Sequence, residues 1–236
     1  LTGYIFWLLT SLGLLRNTTG GMLFSLLVVF GLAIWAYSSR PDQDATLFDW
    51  LRTHSRAVVT AELLFLVAFV FWAIVRAYNP DLDHTEKPME LAFLNGIRGS
   101  DIFPPRDPWL AGYAISYYYF GYVIMAMLAD LSNVITSVAF NLGIALLFAL
   151  TLLGAYGVVY NLVALEHPQK GARGNNTRAA SAAGMLGALF VGVIGNLEAV
   201  LELVRGLNLP FIPGSLWVWL DIEDINVPLT EQLWPP

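Results

Sequence analysis

Long apolar runs, separated by short polar breaks, dominate the pattern along this chain. A helix needs about 20 predominantly apolar residues to cross the hydrocarbon core of a bilayer. Stretches that approach or reach this length lie at residues 1–15, 21–37, 57–75, 112–131, 138–164 and 179–203. The pattern therefore predicts an all-α polytopic transmembrane helix bundle with about six spans.

The longest polar segment between two predicted spans is 76–111, and it contains a short helix-like run. Residues 86–97 carry apolar side chains on most faces of a helix, but the run is too short to span a bilayer. We expect such a helix to lie in the membrane interface or to be buried against the spans. The loop is therefore predicted to hold an interfacial helix.

Composition supports the membrane assignment. Charged residues make up 13% of the chain and apolar residues 57%, whereas soluble domains average about 25% charged residues. A soluble protein this apolar would expose large apolar patches and aggregate, so membrane lipid is the predicted surrounding and partner. The net charge of −6 leaves no basic face, and we expect no nucleic-acid partner.

Cysteine and histidine restrict the cofactor chemistry. The chain has no cysteine, which excludes disulfides, thiolate catalysis and cysteine-ligated metals. The histidines, His54, His84 and His167, all lie outside the apolar stretches. No haem or pigment ligand is therefore predicted within the spans. The cofactor stays unknown at this stage, with a divalent cation as one candidate.

We expect a single transmembrane domain over residues 1–236. Its last part, residues 204–236, is predicted to be a C-terminal loop. The chain begins with Leu1 inside an apolar run and ends at Pro236 in a loop. Both ends are typical of a piece cut from a longer protein, and we interpret the chain as such a fragment.

Acidic residues gather at the start of the predicted interfacial helix. Asp81, Asp83 and Glu86 lie in one short stretch with His84, and Glu90 shares a helix face with Glu86. Acidic groups in this place can bind a divalent cation or act as a general base. Helix capping with solvated charge explains the same spacing, so both interpretations stay open.

Two features lie inside the predicted spans: an acidic residue and a stripe of small residues. Glu62 lies within the third predicted span, where an ionisable group indicates either a functional site or a pairing near the headgroups. Gly184, Ala188 and Gly192 recur at four-residue spacing, with Asn196 next. Because four residues return to nearly the same helix face, this stripe predicts close packing against another helix.

Tyr117, Tyr118 and Tyr119 stand in succession at the head of the fourth predicted span. Successive residues point about 100° apart on a helix, so no single surface uses all three. Such a cluster is typical of the aromatic belt at a membrane surface. Its hydroxyls are equally suited to lining a polar cavity.

Charge distribution gives a modest indication of orientation. If the spans alternate, eight of the 12 Lys and Arg residues lie with the loops 16–20, 76–111 and 165–178. The positive-inside rule then favours a cytoplasmic 76–111 loop.

Several strings together resemble the YYY membrane protein family, a group of uncharacterised bacterial and archaeal polytopic proteins. The strings are GYIFWLLTSLGLLRNT (3–18), EKPMELAFLNGI (86–97), DIFPPRDPWLAG (101–112), SYYYFGY (116–122), GNLEAV (195–200) and WLDIEDINVP (219–228). They cover nearly the whole chain. The resemblance implies a multi-pass protein of a prokaryotic plasma membrane.

That family is distantly similar to the GT-C membrane glycosyltransferases, which take sugars from polyprenyl-phosphate carriers. In that class an acidic residue near the start of the first large extracytoplasmic loop is the catalytic base or a metal ligand. By position, the resemblance implies this role for Glu86 and Asp83, with Asp81 and Glu90 as lesser candidates. It also places the 76–111 loop outside the cell, opposite to the charge distribution.

The same resemblance implies roles for the residues around the acids. Arg98 or Arg106 would neutralise the leaving phosphate of a polyprenyl-phosphate-linked sugar. Tyr117, Tyr118 and Tyr119 would line the groove for the acceptor or the lipid. The metal, if one is used, is not identified by the sequence.

Two other classes of function are weighed against the enzyme. The first is a non-catalytic structural or accessory subunit of a larger respiratory or photosynthetic membrane complex, docked to other membrane subunits through the small-residue stripe and through Trp217, Trp219 and Trp234. The second is a transporter or channel, for which Glu62 is the only ionisable group near mid-span.

Overall fold

The computed structural model describes residues 1–40, 46–82, 86–166, 173–196, 201, 204–205 and 212–220. Every regular element in these ranges is a helix, which confirms the all-α prediction. The elements are α1 Thr2–Ser11, α2 Thr19–Ser38, α3 Leu47–Thr53, α4 Ser55–Tyr78, α5 Lys87–Arg98, α6 Phe120–Leu131, α7 Thr136–Glu166, α8 Arg173–Gly192, a 3₁₀ turn Ile194–Asn196, and α9 Gly214–Leu220.

Three of these helices, α2, α4 and α7, are long and apolar enough to cross a membrane. They correspond to the predicted spans at 21–37, 57–75 and 138–164, and each extends those limits by a few residues. Their length and composition, with the further apolar helices of the chain, make this an integral membrane protein with a helical bundle.

In the other three predicted spans, the helix covers only part of the predicted range. The first ends at Ser11 because a turn with Gly13 at φ 71° follows. The fourth starts at Phe120 instead of residue 112, since Gly112 has φ 90° and a β-bridge joins Arg106 to Ala114. In the sixth, the helix ends at Gly192 and gives way to a 3₁₀ turn. The number of membrane crossings, about six, stays a prediction.

The chain forms two compact units, residues 1–58 with 66–147 and residues 59–65 with 148–236. The core of the first unit contains apolar side chains from α1, α2, α5, α6, α7 and the connector between α5 and α6. Its buried members are Phe6, Met22, Phe93, Leu94, Ile97, Phe103, Ile115, Val123, Ala126, Met127 and Phe140. The prediction of one transmembrane domain stays a prediction.

In the second unit, α8 packs closely on the later part of α7. A Cβ atom built on Gly184 would lie 2.9 Å from the main-chain oxygen of Tyr156, and one on Gly187 would lie 2.6 Å from a methyl group of Val159. Ala188, one helix turn after Gly184, is buried, and a Cβ atom built on Gly192 would lie 2.5 Å from a methyl group of Leu152. The small-residue stripe is therefore filled by a helix of the same chain, and the side chain of Asn196 lies outside the described residues.

Candidate functional site

The acidic end of the 76–111 segment is organised by α5. The predicted helix at 86–97 forms over Lys87–Arg98, with Glu86 at the N-cap position, a proline in the first turn and Gly99 at the C-cap. Phe93, Leu94 and Ile97 lie on one face and are buried in the core of the first unit. Glu86 and Glu90 precede Phe93 and Ile97 on this same helical face, at spacings of three or four residues. Packing of this face therefore places the acids at the end of α5 that meets the start of α6.

Helix α5 packs lengthwise along α6, and two polar contacts define the register. Near the start of both helices the hydroxyl of Tyr122 donates to Oε1 of Glu90 at 3.1 Å. At the other end, Nε of Arg98 donates to Oδ1 of Asp130 at 2.8 Å. The contacts are equally spaced on both helices, so α5 and α6 run parallel. The placement of α5 in the membrane interface stays a prediction.

Two acids and three tyrosines meet where α5 and α6 begin; we call Glu86, Glu90, Tyr117, Tyr118 and Tyr122 the acid–tyrosine cluster. The hydroxyl of Tyr117 donates to that of Tyr118 at 2.6 Å, and their rings lie 3.9 Å apart. Tyr122 is joined to the cluster by its bond to Glu90. The cluster therefore combines carboxylates with phenols on one surface.

The ring of Phe93 packs against two tyrosines of the cluster. Its ring centroid lies 5.8 Å from that of Tyr117 and 6.0 Å from that of Tyr122. Phe93 is itself buried, so the rings of Tyr117 and Tyr122 pack against the hydrophobic core of the first unit. Aromatic contacts at these separations are favourable and restrict ring motion.

The surroundings of Tyr117 oppose ionisation of its phenol. The hydrogen bond to Tyr118 is the main cause that raises the pKa of Tyr117 to about 12, followed by burial and by the negative charge of Glu86 and Glu90. A neutral phenol can both donate and accept hydrogen bonds. Glu86 is exposed and has no capping hydrogen bond. The cluster can therefore bind hydroxyl groups beside an open carboxylate, which is an arrangement suited to proton transfer.

The remaining predicted residues are placed in different surroundings. Tyr119 accepts a hydrogen bond from Nε1 of Trp7 at 3.1 Å and packs on Phe103, apart from the paired hydroxyls of its two neighbours. Asp81 has an exposed side chain, and its main-chain oxygen accepts from Arg76. The tyrosine triplet is thus divided between two environments.

The two predicted phosphate-binding arginines also differ. Arg98 pairs with Asp130 at 2.6 Å and donates to Oγ1 of Thr136 at 2.7 Å, so its guanidinium holds the ends of α5, α6 and α7 together. It lies 12 residues after Glu86 and 8 residues after Glu90, which corresponds to about 18 Å and about 12 Å along the helix. Arg106 is exposed on the connector between α5 and α6.

Asp83, His84 and His167 lie outside the described residues, as does most of the predicted loop at 204–236. Within the described ranges, no group of three or more His, Asp or Glu side chains is arranged to hold a metal ion. Roles for Asp83 and for a divalent cation therefore stay predictions.

Sequence reasoning missed two residues of this region. Tyr122 belongs to the tyrosine-rich motif but is not among the predicted site residues. It lies in the first turn of α6, close to the tyrosine triplet. A helix predicted to start at residue 112 places it well inside the span, so its position gave no indication of a site. Arg76 is buried in the last turn of α4. A cation at the end of an apolar span ordinarily faces water, so nothing in the pattern distinguished it.

Comparison with known proteins leaves the activity open and identifies the family. No curated protein and no solved structure matches the chain. A family described as "uncharacterized membrane protein (DUF2298)" matches residues 1–225, and its description agrees with the apolar helices α2, α4 and α7. The match covers nearly the whole sequence, and the chain belongs to this family of membrane proteins.

Proposed function

We propose that the protein is a membrane glycosyltransferase that uses a polyprenyl-phosphate-linked sugar, in the manner of the GT-C class. The observation that carries the proposal is the acid–tyrosine cluster, in which the exposed carboxylate of Glu86 lies beside neutral phenols. Membrane-spanning helices give access to a lipid-borne donor, and phenols suit the hydroxyl groups of an acceptor.

The proposed reaction is a displacement at the anomeric carbon of the donor. The carboxylate of Glu86, with Asp83, takes the proton of the acceptor hydroxyl. The acceptor oxygen forms a bond to the anomeric carbon, while the bond from that carbon to the phosphate oxygen breaks. Polyprenyl phosphate leaves with the bonding electron pair, and the transferred sugar remains on the acceptor.

The neighbouring residues have supporting roles in this proposal. Glu90 accepts a hydrogen bond from Tyr122, which fixes its carboxylate beside Glu86. Asp81 is a lesser candidate for the general base. Tyr117 and Tyr118 bind the acceptor, and Arg106 neutralises the leaving phosphate. For Arg98 we propose a positioning role, because its guanidinium is held by Asp130.

The proposal also assigns a cellular place. It requires a multi-pass protein in the plasma membrane of a prokaryote, with the 76–111 segment on the extracytoplasmic side, where lipid-linked donors of this class are used. Whether a divalent cation takes part is decided by the pH and metal dependence of transfer.

The test is transfer from polyprenyl phosphates that carry one labelled hexose, supplied to membranes that contain the protein. We expect Glu86→Gln and Asp83→Asn to lower the release of polyprenyl phosphate by at least about 100-fold, the usual size of a general-base contribution. Asp101→Asn is the matched control, since this exposed acid lies in the same segment outside the cluster. Full transfer by both variants, or no turnover of any hexose donor by the unmodified protein, would reject the proposal.

A further inference from the structure

Arg76 is a buried charge that the proposed reaction does not use. It lies in the last turn of the candidate span α4, and 9% of its surface is exposed. A guanidinium group is positively charged throughout the physiological pH range. A full positive charge is therefore buried at one end of a candidate membrane span.

One edge of this guanidinium is held by neutral oxygen atoms. Nε and Nη2 donate to Oδ1 of Asn141 at 2.8 and 2.6 Å, and Nη2 also donates to the main-chain oxygen of Asp81 at 3.2 Å. The amide nitrogen of Asn141 donates to the main-chain oxygen of Ser137 at 3.0 Å, which keeps its oxygen towards Arg76. These bonds orient the guanidinium but supply no negative charge.

Among the residues that the structure describes, the charge of Arg76 has no carboxylate partner. Within the described ranges no Asp or Glu lies at ion-pair distance, whereas the more exposed Arg98, with 25% of its side chain accessible, has Asp130 at 2.6 Å. The negative end of α4 offsets only about half a charge. A buried charge without a partner is costly, so the site favours binding of an anion.

We propose that Arg76 and Asn141 form a binding site for the phosphate group of a membrane lipid. Nη1 has no hydrogen-bond partner among the described residues, and its two N–H groups are available to phosphate oxygens. Arginine suits phosphate because its planar fork matches the oxygen geometry. Lipid phosphates lie at the level where a membrane span ends, which is where α4 presents this residue.

The lipid phosphate has two possible sources, an ordinary anionic phospholipid and a polyprenyl phosphate. The proposal is independent of sugar transfer, because either lipid can bind whether or not a reaction follows. Its test therefore measures binding alone, and its outcome is separate from that of the glycosyltransferase assay.

The experiment uses the purified full chain in a neutral detergent and follows thermal unfolding with three probes: undecaprenyl phosphate, phosphatidylglycerol and inorganic phosphate. We expect a rise in Tm of at least about 4 °C with a lipid phosphate in large excess over its Kd. A rise with undecaprenyl phosphate alone assigns the site to the carrier lipid, and an equal rise with phosphatidylglycerol assigns it to phosphate headgroups in general.

Two variants test the residues. Arg76→Gln removes the charge and should abolish the rise. Asn141→Asp places a carboxylate where Oδ1 contacts Arg76, so this variant should fold with at least the unliganded Tm of the unmodified chain and should no longer respond to lipid. The second variant keeps the test decisive if the first does not fold.

One further variant serves as the control. Arg16→Gln removes an exposed arginine from the turn between α1 and α2 and should keep the rise. An equal rise with inorganic phosphate would overturn the assignment to a lipid. An unchanged lipid response in Arg76→Gln, or in Asn141→Asp if Arg76→Gln does not fold, would overturn the site itself.

Discussion

At the scale of single residues, hydrogen bonding separates side chains that are adjacent in sequence. Tyr117 and Tyr118 share a hydrogen bond in the acid–tyrosine cluster, whereas Tyr119 is bonded to Trp7. A triplet of identical side chains therefore has two structural roles. The carboxylate of Glu90 accepts a hydrogen bond from Tyr122, which lies in the first turn of the neighbouring helix α6.

The titration of Tyr117 tests the cluster directly. Its pKa is raised to about 12, with the hydrogen bond that Tyr117 donates to Tyr118 as the main cause, so ionisation is resisted in the folded state. Since the ordinary value is 10.0, the contribution to stability is present below pH 10 and is lost as pH rises through 12. Tyr118→Phe should lower the pKa of Tyr117, as measured by NMR of ¹³Cζ-labelled tyrosine in micelles up to pH 11.

The control for this titration is Tyr113→Phe, because Tyr113 is exposed and contacts the chain through main-chain bonds. It should leave the Tyr117 resonance unchanged. A Tyr117 that ionises near pH 10 in the unmodified protein, or is indifferent to Tyr118→Phe, would contradict the geometry described for the cluster.

At the scale of helices, close contacts explain why particular small residues are needed. In the second unit, the main-chain oxygen of Tyr156 lies where a Cβ of residue 184 would be placed. A main-chain atom cannot move aside as a flexible side chain can, so helices α7 and α8 approach closely only with glycine at this position.

Gly184→Ala should therefore destabilise the protein by about 1–2 kcal/mol, since overpacking outweighs the gain in helix propensity. Gly154→Ala is the matched control in α7, because a Cβ there meets no atom within 4 Å. It should leave stability unchanged or raise it by up to about 1 kcal/mol. Unfolding in mixed detergent micelles, followed by circular dichroism, measures both; equal effects would show that α7 and α8 do not pack as described.

At the scale of the whole molecule, the filled stripe bears on the alternative function. A structural subunit of a larger complex was predicted to dock through Gly184, Ala188 and Gly192, but α7 of the same chain occupies these positions. The stripe therefore gives no support to docking of another subunit. Co-purification with other subunits in a fixed ratio stays the measurement that would favour that alternative.

Orientation in the membrane is the prediction that joins fold and function. The side-chain amide of Asn17 donates to the main-chain oxygens of Ile97 and Ser100 at 2.7 and 2.8 Å, so the turn between α1 and α2 lies beside the end of α5. Because the chain has no cysteine, a single cysteine in Arg16→Cys or Arg106→Cys is the only thiol that can be labelled. Its labelling shows on which side of the membrane the end of α5 lies. The glycosyltransferase proposal requires both to react with a membrane-impermeant maleimide in intact cells.

Ser39→Cys, at the far end of the candidate span α2, is the control and should react only after the cells are permeabilised. The opposite pattern would place the 76–111 segment in the cytoplasm, as the distribution of Lys and Arg favours. That result would remove the glycosyltransferase proposal. The lipid-phosphate site at Arg76 would remain, since anionic lipids also occur in the cytoplasmic leaflet.

The sequence by itself determined the all-helical membrane character, the spans at α2, α4 and α7, and the short helix α5. These features follow from local apolar length and from residues such as Pro88 and Gly99, whose preferences act within a few positions. The acids at the start of α5 were also recognisable, because their neighbours in sequence are their neighbours on the helix.

Only the tertiary structure decided the partners of the polar side chains. Tyr122 meets Glu90, Arg98 meets Asp130, and Arg76 meets Asn141, each across more than 30 positions of the chain. Such pairs depend on which helix faces are brought together by packing of the core, and no local pattern encodes that choice. The same long-range packing buries Arg76 with no carboxylate beside it in the described part of the chain, which is why its lipid-phosphate site had to be inferred from the fold.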